Sequence, residues 1–214
     1  MPRRTFDPTL CLVTDRTLSG GRPLTEIVSE AVAGGVTMVQ LREKEASTRE
    51  FLDVAKALRG LTREKGATLL INDRLDVALA VDADGVHVGQ DDLPAETARR
   101  LLGSERILGV TAGTAELARA AQRAGADYIG CNAVFATPTK TDTGTPLGLQ
   151  GLARLVAGSP LPVVAIGGIH ADNAAEIAAT GAVGIAVVSA IVGAEDPRAA
   201  ARRLRDRFET ARGR

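Results

Sequence analysis

One short phrase recurs along this chain: glycine, a small residue, then an apolar run. It reads Gly34-Gly35-Val36-Thr37-Met38-Val39, Gly66-Ala67-Thr68-Leu69-Leu70-Ile71, Gly125-Ala126-Asp127-Tyr128-Ile129 and Gly181-Ala182-Val183-Gly184-Ile185-Ala186-Val187-Val188. Ala83-Asp84-Gly85-Val86-His87-Val88 is a looser copy. Each copy follows a segment of helical periodicity, so the glycine reads as a helix C-cap and the run behind it as the next strand. Helix, short turn, strand, repeated, leaves few architectures open. Short apolar strands that alternate with helices belong to a parallel sheet covered on both faces.

Filling the gaps predicts eight strands, near Leu10–Thr14, Met38–Leu41, Thr68–Ile71, Gly85–Val88, Ile107–Val110, Tyr128–Cys131, Val163–Ile166 and Ile185–Val188. Helical faces lie between them: Leu24, Val28 and Ala31; Phe51, Val54, Ala55, Leu58 and Leu61; Leu117, Ala118, Ala121 and Ala124; and Ala200, Leu204 and Phe208. The last helix carries Arg198, Arg202, Arg203, Arg205 and Arg207, which read as a solvated outer face. Eight such units in 214 residues point to an α/β chain folded as one (β/α)8 TIM barrel over residues 1–214, with a short N-terminal extension, 1–8. A doubly wound open sheet is the alternative. The barrel predicts polar residues after many different strands, at the C-terminal face, and that is where they fall.

Lys+Arg and Asp+Glu both number 26, so no global field favours nucleic acid or an anionic membrane. Any anion site must be local. With no tryptophan, one tyrosine and four phenylalanines, the core must be aliphatic. Cys11 and Cys131 sit in apolar runs without metal or CxxC spacing, which reads as two buried thiols in a reducing compartment. Met1-Pro2-Arg3-Arg4 leads into no apolar run, and the uncharged stretch from Gly181 to Ala194 is too short to span a membrane. A cytoplasmic protein is expected, with small phosphorylated molecules as partners and homo-oligomerisation left open.

The strand ends carry the chemistry. Gln40, Arg42 and Lys44 alternate along an extended chain and so point to one side. An amide, a rigid guanidinium fork and a mobile ammonium converging there suit a diphosphate. Asn72-Asp73-Arg74 follows strand 3, and Gly89-Gln90-Asp91-Asp92 follows strand 4. Asn72-Asp73 read alone is also a common helix N-cap. Two carboxylates from neighbouring strands, Asp73 and Asp92, beside Arg and Lys, suggest Mg²⁺ completed by substrate phosphates. His87, on strand 4 itself, reads as a packed, hydrogen-bonded residue. Thr111 ends strand 5 with a hydroxyl placed for a phosphate. Phe135 to Gly144 form a hydroxyl-rich loop holding one lysine, Lys140, and read as an active-site lid. Gly167-Gly168 after strand 7 and Ser189 after strand 8 match the monophosphate cradle that barrels build there. No serine–histidine pair or catalytic cysteine setting appears. The inventory describes a transferase that displaces diphosphate beside a second phosphorylated molecule.

These motifs resemble the thiamine phosphate synthase family along nearly the whole chain. The matching elements are Leu12-Val13-Thr14-Asp15, Gln40-Leu41-Arg42-Glu43-Lys44, Ile71-Asn72-Asp73-Arg74, Gly85-Val86-His87-Val88-Gly89-Gln90-Asp91-Asp92, Thr137-Pro138-Thr139-Lys140 and Ile166-Gly167-Gly168-Ile169. The resemblance implies condensation of hydroxymethylpyrimidine diphosphate with hydroxyethylthiazole phosphate, or its carboxylated form, giving thiamine phosphate and diphosphate. It implies that Gln40, Arg42, Lys44, Asn72, Thr111 and Lys140 hold the pyrimidine diphosphate, with Arg42, Lys44 and Lys140 as the catalytic cations. It further implies Mg²⁺ on Asp73 and Asp92, and the thiazole phosphate on Thr137, Thr139, Gly168, Val188 and Ser189. The mechanism implied is dissociative: diphosphate leaves and the thiazole nitrogen traps a pyrimidine-stabilised cation. The chain departs from the family in having Asn132-Ala133 where Gly-Pro is frequent, Thr111 for Ser, and Ala112-Gly113-Thr114 where polar residues follow. A thiazole tautomerase-like isomerase on the same barrel is the alternative, and a non-catalytic ligand binder a third. Retention of the whole diphosphate apparatus argues against both.

Overall fold

The computed structural model describes residues 5–137 and 145–213. Eight strands, β1 (Leu10–Val13), β2 (Met38–Leu41), β3 (Thr68–Asn72), β4 (Gly85–Val88), β5 (Ile107–Thr111), β6 (Tyr128–Gly130), β7 (Val163–Ile166) and β8 (Gly184–Val187), pair in parallel in chain order. β8 closes on β1, so the sheet is a barrel and the open-sheet alternative falls away. The helices around it are α1 (Leu24–Ala33), α2 (Thr48–Lys65), α3 (Leu75–Ala80), α4 (Ala95–Leu102), α5 (Ala115–Arg123), α6 (Gly148–Gly158), α7 (Ala174–Ala179), α8 (Ser189–Val192) and α9 (Pro197–Arg212). The expected strand positions hold to within one residue at each end. β1 stops at Val13, β6 at Gly130 and β8 at Val187, one residue short in each case, while β3 and β5 run one residue further.

The recurring phrase is a helix stop with a defined geometry. Gly35, Gly66, Gly125 and Gly181 all have positive φ, and in the looser copy Asp82 takes the left-handed conformation instead (φ 51). The next residue donates back five positions: Val36 to Ala31, Ala67 to Thr62, Ala83 to Ala78 and Ala126 to Ala121, at 2.9–3.1 Å. That is the Schellman bond, and the small residue after the turn is buried at each of these stops. The side chain of a polar residue then accepts from an N–H in the first two residues of the preceding strand: Thr37 from Leu10, Asp84 from Leu69 and Asp127 from Leu108. Each unit thereby caps the open end of its neighbour.

Side chains alternate between two cores. Outward residues pack beneath the helices, while Cys11, Val13, Met38, Leu70, Ile107, Tyr128, Val164 and Ala186 fill the barrel interior. Both cysteines are buried and free, and burial pushes their thiols up, Cys11 to about 12 and Cys131 to about 11. Two helical faces differ from expectation. Leu117 is exposed, since α5 buries only Ala118 and Ala121. On α9, Arg205 is not simply a solvated arginine: its guanidinium reaches the Gly35 carbonyl (3.4 Å) and Glu209, pinning the turn before β2. Among the described residues no helix is long and apolar enough to cross a membrane.

Candidate active site

Strand register decides which polar residues share the barrel mouth. Val13 lies beside Gln40, Asn72 beside His87, His87 beside Gly109, and Thr111 beside Gly130. Gln40, Asn72, His87 and Thr111 therefore face inward from four consecutive strands, and alternation adds Arg42 to that side. Gln40 is only 7% exposed, and its side chain lies near the Tyr128 hydroxyl within the barrel.

Arg42 is held from its backbone outward. The buried Thr14 hydroxyl accepts from Arg42 N–H (3.0 Å) and donates to Arg42 C=O (3.3 Å). The guanidinium lies 3.8 Å from Asp15, which itself accepts from Thr17 N–H. Next to it Glu43 points away from the mouth and accepts from Arg16 Nε at 3.0 Å. Its side chain is 3% exposed and its Oε1 has no partner, so burial pushes the carboxyl up while Arg16 opposes the shift. Thr14 and Glu43 thus clamp the loop after β1 to the loop after β2. Replacing Thr14 by valine keeps its shape but strands the Arg42 N–H. We expect a loss of about 1–3 kcal/mol in chemical denaturation, with Thr14→Ser nearer wild type.

Asp73 is the second fixed point. It takes φ 61, a conformation that costs a non-glycine residue roughly 1 kcal/mol although Asp and Asn tolerate it best. Its N–H donates to the His87 carbonyl at 2.8 Å, tying the β3 exit to β4. The N-cap reading of Asn72-Asp73 fails here: the cap position of α3 is Arg74, and no side chain caps that helix. On the next strand, Asp92 Oδ2 accepts from Gly89 N–H at 2.7 Å, which fixes the carboxylate across its own loop. Two hard oxygen donors at adjacent strand ends fit a divalent cation that draws its remaining ligands from phosphate and water. Among the described residues no group of three or more His, Cys, Asp or Glu forms a closed cage. Lys44 is exposed on the loop after β2.

Across the mouth, the β7 loop turns on Gly167 (φ 98) and Gly168 (φ 66). A Cβ on Gly167 would lie 2.6 Å from Ala133 Cα, and one on Gly168 would lie 2.7 Å from Phe135 Cβ. Phe135 N–H donates to the Gly167 carbonyl, and Asn173 Nδ2 donates to the Gly168 carbonyl at 2.9 Å. Asn173 also accepts from His170 N–H, so it braces the glycine turn from both sides. Sequence reading missed it; the trace was an asparagine three residues after the histidine of the turn, the spacing of a side-chain-closed loop. Ser189 opens the four-residue α8, directly after the half-buried Val188. Thr137 is half-buried, while Thr139 and Lys140 lie outside the described residues.

The departures noted in the sequence meet in space. A Cβ on Gly113 would come within 2.6 Å of the Asn132 side-chain amide. Asn132 stands where a glycine is frequent, and it fills the space that glycine at 113 leaves open. The base of the loop is nonetheless intact: Ala133 and Val134 carbonyls accept from Leu147 and Gly148, and Val134 N–H donates to Ile166.

Residues 10–191 match the family described as thiamine monophosphate synthase. The chain is 55% identical over 204 residues to the thiamine-phosphate synthase of Moorella thermoacetica, covering 95% of this chain and 97% of that one. It is also 55% identical over 203 residues to the thiamine-phosphate synthase of Syntrophomonas wolfei, with 95% and 97% covered. Among solved structures, the thiamine phosphate pyrophosphorylase from Pyrococcus furiosus superimposes with a TM-score of 0.88 at 46% identity, covering 96% of this chain and 97% of that one.

Proposed function

The chain belongs to the thiamine monophosphate synthase family, and from that premise we propose that its barrel mouth is where thiamine phosphate is made. The activity is that of a diphosphate-releasing transferase: hydroxymethylpyrimidine diphosphate is joined to hydroxyethylthiazole phosphate, or its carboxylated form. What supports the reading most is that Gln40, Arg42, Asn72, Asp73, Thr111 and Asp92 issue from the ends of four consecutive strands. The isomerase alternative finds no support, since the relatives are named for the synthase.

In this reading Arg42, Lys44 and Lys140 face the charge that grows on the leaving diphosphate, the electrostatic contribution that usually dominates such a step. Asp73 and Asp92 hold Mg²⁺, which when bound neutralises diphosphate oxygens. Asn72 and Thr111 orient the pyrimidine diphosphate, and Gln40 does so from within the barrel wall. Thr137, Thr139, Gly168, Val188 and Ser189 seat the thiazole phosphate, so that its ring nitrogen meets, in a fixed approach, the pyrimidine-stabilised cation left when the bond to diphosphate breaks. No protein nucleophile takes part. The buried free thiols, Cys11 and Cys131, suit a cytoplasmic enzyme. We expect neither nucleic acid nor membrane as a partner.

The test is diphosphate release by purified protein given both substrates, first with Mg²⁺ and then with a chelator. Metal-dependent release that requires the thiazole phosphate, with thiamine phosphate formed, is expected. Isomerisation of a thiazole carboxylate phosphate without release would overturn the synthase reading.

A further inference from the structure

Below the mouth, two side chains that the reaction as described does not use, Tyr128 and His87, lie between two that it does, Gln40 and Thr111. Gln40 lies near the Tyr128 hydroxyl, Tyr128 Oη lies 2.9 Å from His87 Nδ1, and His87 Nε2 lies 3.0 Å from Thr111 Oγ1. The four residues come from four different strands. The fold makes room for them deliberately. A Cβ on Gly109 would lie 2.3 Å from Tyr128 Cζ and 2.5 Å from His87 Nδ1, and one on Gly130 would lie 3.0 Å from His87 Cε1. Tyr128 is the largest fully buried side chain of the described barrel, and its phenol, raised well above 10 chiefly by burial, keeps its proton at every working pH.

Such a chain can run in either of two directions, because each hydroxyl and the neutral imidazole both donate and accept. Run inward, Thr111 donates to His87, His87 donates to Tyr128, and the Thr111 oxygen offers only lone pairs to the mouth. Run outward, Gln40 donates to Tyr128, Tyr128 donates to His87 Nδ1, and His87 Nε2–H donates to Thr111 Oγ1. Only then is the Thr111 proton left to donate to an anion. The Thr111 carbonyl, which accepts from Gln90 Nε2, offers no substitute, since a carbonyl oxygen has no proton to donate to an anion.

We propose that Tyr128 and His87 are positioning residues that hold the Thr111 hydroxyl as a donor to the diphosphate, through a neutral His87 bearing its proton on Nε2. The proposal rests on the reading of Thr111 as a diphosphate contact. An anion at the mouth selects this tautomer, and Tyr128 Oη, 2.9 Å from His87 Nδ1, is then the donor at the base. Hydrogen bonds arranged this way polarise one another and leave Thr111 a better donor than an isolated hydroxyl.

The chain contains two histidines, His87 and His170, and His170 is exposed. Nitrogen-15 spectra of histidine-labelled protein, with Mg²⁺ and inorganic diphosphate bound, therefore report His87 directly. The expected result is an unprotonated Nδ1 and a protonated Nε2. A protonated Nδ1 would overturn the proposal. Diphosphate that fails to bind, and is not strengthened by Mg²⁺, would instead remove the reading of the mouth on which the proposal rests. A double-mutant cycle separates positioning from packing. Thr111→Val is expected to weaken turnover about tenfold and Tyr128→Phe about three- to tenfold. The double variant should be no slower than Thr111→Val alone. Fully additive losses would assign Tyr128 to packing only.

Discussion

Arg42→Ala is expected to lower turnover by about two to three orders of magnitude while leaving the fold and the thiazole phosphate affinity close to wild type. The size follows from removing one preorganised donor from charge that develops during the reaction, a loss that usually runs to 10²–10³ in rate. Preorganisation is visible in the structure. Thr14 brackets the Arg42 backbone from both sides, and the arginine side chain is only 16% exposed. Truncation does more than subtract a cation. Asp15, 3.8 Å from the guanidinium, is 15% exposed and would be left facing the diphosphate as an unopposed negative charge. Arg42→Lys keeps the charge but gives up the planar fork, so it should recover only part of the rate. Single-turnover rates for diphosphate release, set beside calorimetric binding of the thiazole phosphate, separate the two effects. A drop of less than tenfold, or an equal loss of thiazole affinity, would take Arg42 away from the leaving group.

Much of this architecture was legible because the same local physics repeats. Gly66-Ala67 and Gly125-Ala126 announce helix stops by spacing alone, and the structure supplies the left-handed residue and the six-residue return bond that make them stops. Inward and outward positions followed from alternation, so Gln40, Arg42, Asn72 and Thr111 could be read from the sequence as strand-end residues. Other features were hidden for a definite reason: they depend on which strand lies beside which. The Tyr128–His87 bond joins residues 41 apart, and Arg99 to Asp127 spans 28. Asn132 and Gly113 looked like two separate departures until the pairing of Thr111 with Gly130 set their strands side by side. Leu117 misled because period alone cannot tell the rim of a helical face from its centre, and α5 buries only Ala118 and Ala121. Asp73 was ambiguous in the opposite sense. Asx before a helix reads as a cap, yet here its backbone is left-handed and the helix goes uncapped. A residue that accepts strain without capping anything is best explained by what its carboxylate does.

That explanation has its own expected result. Asp73→Asn and Asp92→Asn should each lower turnover by about 100-fold or more and weaken metal binding in the presence of inorganic diphosphate by a similar factor, because each removes one of two protein carboxylates from the site. Asparagine is the informative replacement at both positions. At 73 it tolerates positive φ as readily as aspartate, so the β3 exit and the bond from Asp73 N–H to the His87 carbonyl should survive. At 92 its side-chain oxygen can still accept from Gly89 N–H, which keeps the loop after β4 in place. Neither variant should shift the thermal midpoint of the metal-free protein by more than about 2–4 °C, the shift expected from roughly 1 kcal/mol in a chain of this size. Asp73→Ala, by contrast, adds backbone strain and should fall further in stability as well as in rate. Mn²⁺ binding measured by electron paramagnetic resonance, with diphosphate present and absent, distinguishes the cases. If both asparagine variants bind the metal as wild type does while turnover collapses, the two carboxylates act on the substrate directly and the cation sits elsewhere. If turnover is preserved, the Asp73 and Asp92 carboxylates have no part in catalysis, and the diphosphate is held by cations of the chain alone.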